Sequence, residues 1–181
     1  MILTTDRLLL RPITTDDARA MYECYRGPNV GPNAGWKPHE SVDETREIIE
    51  QIFLANNVFG IVLREDNALI GSVGLIDDPK RDNDRTKMLG YSIGEDYWGR
   101  GYMTEAARAV VDDGFVRLGL DLISAYCYPE NARSRRVLTK LGFRYEGTLA
   151  LCEMIYNGEV RANECYALTP QYFAEAGVED N

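Results

Sequence analysis

Histidine is almost absent from this chain, which has only His39, and its four cysteines (Cys24, Cys127, Cys152 and Cys165) lie far apart with no C-x-x-C pair. That spacing excludes a zinc cluster and a disulfide framework, so no metal is expected. Three of the cysteines sit in apolar stretches, where a thiol behaves as a small buried hydrophobe, and a reducing cytoplasm is the simple setting. No apolar run approaches the roughly 20 residues of a membrane span, and Met1-Ile-Leu-Thr-Thr-Asp-Arg7 has no signal-peptide pattern. Positive charge is also short. Twenty Lys and Arg against 29 Asp and Glu give a net charge of −9, which disfavours nucleic acid and favours cationic partners such as amines or basic peptides. The same acidity also serves plain solubility. Repeats, low-complexity tracts and Pro/Ser-rich linkers are missing, so the 181 residues read as one domain, 1–181.

Hydrophobic periodicity then orders the chain. Leu8-Leu9-Leu10 reads as an opening strand, and Thr14-Thr-Asp-Asp17 supplies cap chemistry for a helix to about Tyr25. Gly27 to Pro38, dense in glycine and proline, is a long loop. Ser41-Val-Asp-Glu44 fits a capping box ahead of Ile48, Ile49, Ile52 and Phe53 at helical spacing. Strands 58–63 and 69–76 flank the turn Arg64-Glu-Asp-Asn67, and a third covers 88–93. A helix over 102–118 places Ala107, Val110, Val111, Phe115 and Leu118 on one face. The apolar stretch 122–128 is a strand buried on both faces, and Asn131 caps a helix that Gly142 stops. Two last strands, 148–156 and 160–168, join at Asn157-Gly158. The class is α+β, with a mixed, mostly antiparallel sheet flanked by helices.

The most informative segment joins the strand at 88–93 to the helix at 102 through Gly99-Arg100-Gly101. Unpaired amides at a helix start attract anions, and glycines let a ligand approach the backbone, so the turn asks for a phosphate. A P-loop requires Lys and Ser/Thr where Arg100 and Gly101 stand, and a dinucleotide fingerprint needs a third glycine. Both fail.

Asp96-Tyr-Trp-Gly-Arg-Gly101 resembles instead the Q/R-x-x-G-x-G/A pyrophosphate signature of the GCN5-related N-acetyltransferases, the GNAT superfamily. Thr5-Asp-Arg-Leu-Leu-Leu-Arg-Pro12, Gly99-Arg-Gly-Tyr-Met-Thr-Glu-Ala106 and Pro129-Glu-Asn131 through Ser134 to Lys140-Leu-Gly-Phe143 are similar to segments of its ribosomal-protein alanine acetyltransferase (RimJ/RimL-like) branch. The resemblance spans nearly the whole chain and implies a fold in which the strands at 88–93 and 122–128 splay apart. It implies acetyl-CoA as cosubstrate. The pantetheine arm would pair with the backbone of Tyr91, Ser92 and Ile93, and the diphosphate would lie on Trp98, Gly99, Arg100, Gly101, Tyr102, Met103 and Thr104. Asn131 and Ser134 would sit near the sulfur. The implied reaction is direct attack of an amine on the thioester, with no acyl-enzyme. A homodimer is compatible with the resemblance.

Two positions depart from the pattern. Asp96 stands where the signature has Gln or Arg, so backbone amides must carry more of the diphosphate, with Arg100 either a helping cation or a solvated turn residue. Met88 stands where many relatives have a glutamate in an E-I-G-Y pattern, which removes one general base. Glu153 is a substitute base or an exposed strand residue. Ser134 either protonates the departing thiolate or completes a helical turn. Tyr126 and Tyr128 flank the site, although strand tyrosines more often pack. Trp36 and His39 are candidates to line the acceptor cleft, and a lone histidine beside proline also reads as a structural hydrogen-bonding residue. Without the glutamate, an α-amine of pKa about 7.7–8.0 suits better than a lysine amine of about 10.4, whose deprotonation costs roughly 3–4 kcal/mol more. The function expected is therefore N-acetylation of a protein N-terminus. A polyamine or antibiotic acetyltransferase and a non-catalytic acyl-CoA-binding module are the alternatives.

Overall fold

The computed structural model describes residues 1–56 and 58–179. Its strands are β1 (Leu3–Thr4), β2 (Leu8–Pro12), β3 (Val58–Leu63), β4 (Leu69–Asp77), β5 (Thr86–Ile93), β6 (Leu122–Cys127), β7 (Arg144–Met154) and β8 (Val160–Leu168). They form one sheet in the order β1-β2-β3-β4-β5-β6-β8-β7, antiparallel throughout except for the β5–β6 pair. The helices are α1 (Ala18–Tyr25), α2 (Val42–Ile48), α3 (Tyr102–Val116), α4 (Ala132–Lys140) and α5 (Pro170–Glu179). This is the mixed, mostly antiparallel sheet that the sequence predicts. Among the described residues no helix is long and apolar enough to cross a membrane.

The two faces of the sheet bury different helices. Met103, Ala106, Ala107, Val110 and Val111 of α3 enter a core with Leu8, Leu10, Ile61, Val73 and Leu89. Ala18, Met21 and Tyr25 of α1 pack with Ile13, Val62 and Leu69. Each aliphatic side chain buried in this way stabilises the fold by about 1.5–3 kcal/mol. The caps follow sequence chemistry. Ser41 Oγ accepts from the Glu44 amide (3.0 Å), and Asn131 Oδ1 accepts from the Ser134 amide (3.1 Å).

Three expectations shift. Helix α3 stops at Val116, which leaves Leu118 beyond the helix and 41% exposed instead of on the buried face. The apolar series after Ser41 is α-helical only to Ile48 and then becomes a π turn, Ile49–Phe53, closed by the Leu54 amide on the Ile49 carbonyl (3.0 Å). Strand β7 starts at Arg144, because Arg144 and Tyr145 pair with Ala167 and Tyr166 although their own sequence has no strand alternation. Short β1 and terminal α5 carry signals too weak to be read from sequence.

Candidate active site

β5 and β6 are hydrogen-bonded partners only over Thr86–Met88 against Leu122–Ser124, after which they part. Tyr91, Ser92 and Ile93 still pair with β4 on their other side, so the edge they turn to the gap is free of sheet partners. Trp98 Nε1 donates to the Ile93 carbonyl (2.9 Å) and so fixes the end of that edge. A cleft of about 1130 Å³ runs from the glycine turn through this gap to the loop before α2.

At one end, Gly99 (φ 76°) and Gly101 (φ 81°) hold the left-handed conformations that a reversal into α3 requires. Gly101 is the residue before α3, so the amides of Tyr102, Met103 and Thr104 have no intrahelical acceptor, and all three residues line the cleft. Asp96 and Arg100 are exposed. The Arg100 guanidinium lies 5.9 Å from the Tyr97 ring centroid, while its carbonyl accepts from Arg7 Nη1 (3.0 Å). Three cations escaped the motif comparison. Arg133, Arg136 and Lys140 line the cleft from α4, and Arg133 lies 4.2 Å over the Trp98 ring. Their i, i+3, i+7 spacing on one helical face was the available signal. They supply the positive charge that Asp96 cannot.

In the middle of the cleft, Ser134 Oγ lies 2.7 Å from the Tyr91 hydroxyl. Burial pushes the Tyr91 pKa up, so the phenol stays protonated despite the Ser134 bond. Asn131 works in two directions. Its Oδ1 caps α4 at the Ser134 amide, and its Nδ2 donates to the Asn33 carbonyl in the loop between α1 and α2 (3.2 Å). Neighbouring Cys127 is pushed by burial to about 11, which leaves it a thiol at neutral pH and a poor nucleophile.

At the far end, Tyr25, Trp36 and His39 form a triangle of rings with centroids 5.2–5.4 Å apart. His39 is buried. Its Nδ1 lies 2.9 Å from Thr45 Oγ1, which itself donates to the Ser41 carbonyl (2.8 Å). The threonine proton is thereby committed, so His39 must donate from Nδ1. Burial also lowers its pKa, which leaves a neutral ring with Nε2 as a free acceptor. The structural role and the cleft position thus coexist in one residue.

Glu153 is not the exposed strand glutamate that β7 allows. The β7–β8 register slips between Leu149 and Glu153, and Leu151 takes φ 48° and is 76% exposed. Such a bulge re-aims the next side chain. Glu153 is half-buried on the cleft, where it accepts from Asn163 Nδ2 (2.8 Å) and lies against the Tyr128 hydroxyl. Gly35 (φ 86°) brings the loop between α1 and α2 so close that a side chain there would strike the Tyr128 hydroxyl and Glu153. Arg161 Nη1 holds the Pro32 carbonyl of the same loop (3.2 Å). Tyr126 donates instead to Asp78 (2.9 Å) and pins the β4–β5 loop. Among the described residues no group of three His, Cys, Asp or Glu side chains is placed to hold a metal.

Comparison with known proteins agrees with this geometry. Residues 7–144 match the family model described as an acetyltransferase (GNAT) domain. The chain is 36% identical over 154 residues to the uncharacterized N-acetyltransferase YoaA of Bacillus subtilis, covering 82% of this chain and 85% of that one. It is 27% identical over 167 residues to spermidine N(1)-acetyltransferase of Escherichia coli, covering 92% and 88%. A GNAT-family acetyltransferase structure from Bacillus anthracis superposes with a TM-score of 0.84 at 29% identity, over 94% of this chain and 99% of that one. A Vibrio cholerae structure provisionally assigned as a ribosomal-protein-serine acetyltransferase gives 0.78 at 31%, over 94% and 98%. The chain belongs to the GNAT acetyltransferase family and is an N-acetyltransferase.

Proposed function

We propose that the protein transfers the acetyl group of acetyl-CoA to a single primary amine, the α-amine of a peptide N-terminus. The observation that carries this reading is the charge inventory of the cleft. Of the carboxylates that line it among the described residues, Glu44 is neutralised by Lys37 (2.7 Å), while Glu153 is met by the neutral donors Asn163 and Tyr128. One uncompensated carboxylate suits one ammonium group. A polyamine, the substrate named for the Escherichia coli relative, would bring further cations to a cleft whose rim already carries Lys80.

In this reading the amine first loses a proton to Glu153, and its lone pair then attacks the thioester carbonyl carbon. As the tetrahedral intermediate collapses, the C–S bond breaks and the departing sulfur takes a proton from the Ser134 hydroxyl. The proton that the nitrogen sheds as it becomes an amide returns to Ser134 through the Tyr91 hydroxyl across the 2.7 Å contact, so both hydroxyls end as they began. Backbone amides at the start of α3, with Arg133, Arg136 and Lys140, hold the phosphates. The ribosomal-protein branch and a cytoplasmic setting fit the same reading.

Thiol release from acetyl-CoA, measured against N-terminal peptides, polyamines and aminoglycosides, tests it. Peptides with free α-amines should be acetylated and their N-acetylated forms should be inert. Preference for spermidine or for lysine side chains would overturn the acceptor assignment. Tight acetyl-CoA binding with no release against any amine would make the chain a binding module.

A further inference from the structure

The cleft does not end at Glu153. It continues between the sheet and the π turn after α2, where Ile48, Ile52, Phe53 and Val58 face it from one side and Ile76 and Met88 from the other. No side chain rises from the floor at Gly90, whose partner across β4–β5 is Gly74, and the nearest atom to a Cβ placed on Gly90 is Ile76 Cδ1 at 3.9 Å. The π turn sets both Ile52 and Phe53 on the cleft, and π turns of this kind concentrate at functional sites. Ile52 is 53% exposed there, apolar surface left open to water.

Several polar side chains nearby are already occupied. The Tyr25 hydroxyl lies 2.8 Å from both Ser72 and Ser92, Lys37 is paired with Glu44, and Asn56 Nδ2 donates to the Ile52 carbonyl (2.7 Å). Lys80, over the Tyr126 ring at 4.1 Å, is the cation at the mouth. Among the described residues the slot therefore offers mainly shape and apolar contact.

We infer that this slot takes an apolar side chain carried on the carbon next to the acceptor amine, so that the favoured acceptor is an N-terminus whose first residue is of leucine or phenylalanine size. The inference rests on the acetyltransferase reading above and adds the class of substrate. An aliphatic or aromatic group leaving water for the slot adds binding that a glycine N-terminus cannot supply.

The test is kcat/KM for thiol release with short peptides that differ only in the first residue (Gly, Ala, Leu, Phe, Asp or Lys), with phenethylamine and ethylamine as a second arm. Leu or Phe should exceed Gly by about tenfold or more, and phenethylamine should exceed ethylamine likewise. Ile52→Asn and Met88→Gln should each shrink the Leu-to-Gly ratio, with a melting curve recorded for each variant. A wild-type ratio near one, or a best rate with Asp or Lys, overturns the inference while leaving the acetyltransferase reading intact. Discrimination among the small amines with no peptide acetylated keeps the slot and assigns it to a free amine. No thiol release from any amine removes the acetyltransferase reading and the slot together.

Discussion

Ser134 has a structural role and, in the mechanism proposed, a chemical one as well. Its amide closes the Asn131 cap, and its hydroxyl faces the cleft 2.7 Å from Tyr91. The two roles separate by substitution, because alanine keeps the amide and loses the hydroxyl. Ser134→Ala should cut kcat by about a hundredfold, while the melting midpoint and the affinity for acetyl-CoA stay near wild type. Tyr91→Phe should give a smaller fall in kcat, since it removes only the group that positions and recharges the serine. Stopped-flow thiol release with saturating acetyl-CoA separates kcat from KM in both variants. A Ser134→Ala enzyme at wild-type turnover would take the serine out of the mechanism.

Among the elements, the opening segment and the glycine turn before α3 are one unit. Thr5 Oγ1 donates to Glu105 Oε1 (2.6 Å), the Arg7 amide donates to the same oxygen (2.9 Å), and Arg7 Nε donates to Oε2 (2.7 Å). Burial alone would raise the Glu105 pKa, but these donors outweigh it and hold the carboxyl below its ordinary range. Arg7 therefore cancels a negative charge one turn from the unpaired amides at the start of α3, and it also grips the Arg100 carbonyl. Arg7→Ala should raise KM for acetyl-CoA by about tenfold, the size of one charge-assisted hydrogen bond. KM for S-acetylpantetheine, which has no diphosphate, should not move. Equal loss with both donors would make Arg7 a general fold contact. The glycine turn and the strand and helix beside it were legible in the sequence because their signals are local: glycines at fixed spacing, a cap residue, an apolar run. The acceptor half is assembled from distant pieces. Glu153 reaches the cleft through a bulge at Leu151, whose positive φ has no glycine to announce it, and Ile52 reaches it through a π turn that helical spacing cannot foretell. Arg133, Arg136 and Lys140 were readable in principle, but only once the facing of α4 was known.

Over the whole molecule, stability should depend on pH through groups that the fold holds away from their ordinary titration. His39 is neutral in the fold because burial lowers its pKa, whereas the unfolded chain binds a proton there below about pH 6.5. Its contribution is thus full above that value and is lost as pH falls through it toward the folded pKa, with a slope of at most about 1.4 kcal/mol per pH unit. Asp17 acts in the same direction but lower. Burial raises it, the bidentate Arg11 bonds (2.6 and 2.8 Å) outweigh that, and its net lowering yields stability that disappears only as the carboxyl protonates in acid. The net charge of −9 opposes both, because protonating surface carboxylates first relieves self-repulsion. The informative quantity is accordingly a difference between variants. Melting midpoints of wild type and His39→Gln, recorded from pH 8 to pH 4, should run parallel above pH 7. Below about pH 6.5 they should converge as the wild type alone loses ground, and in stronger acid they should fall together as Asp17 and its like titrate. Curves that stay parallel across that middle window would mean that His39 titrates alike in the folded and unfolded chain, and the neutral ring with its free Nε2 on the cleft would have to be abandoned.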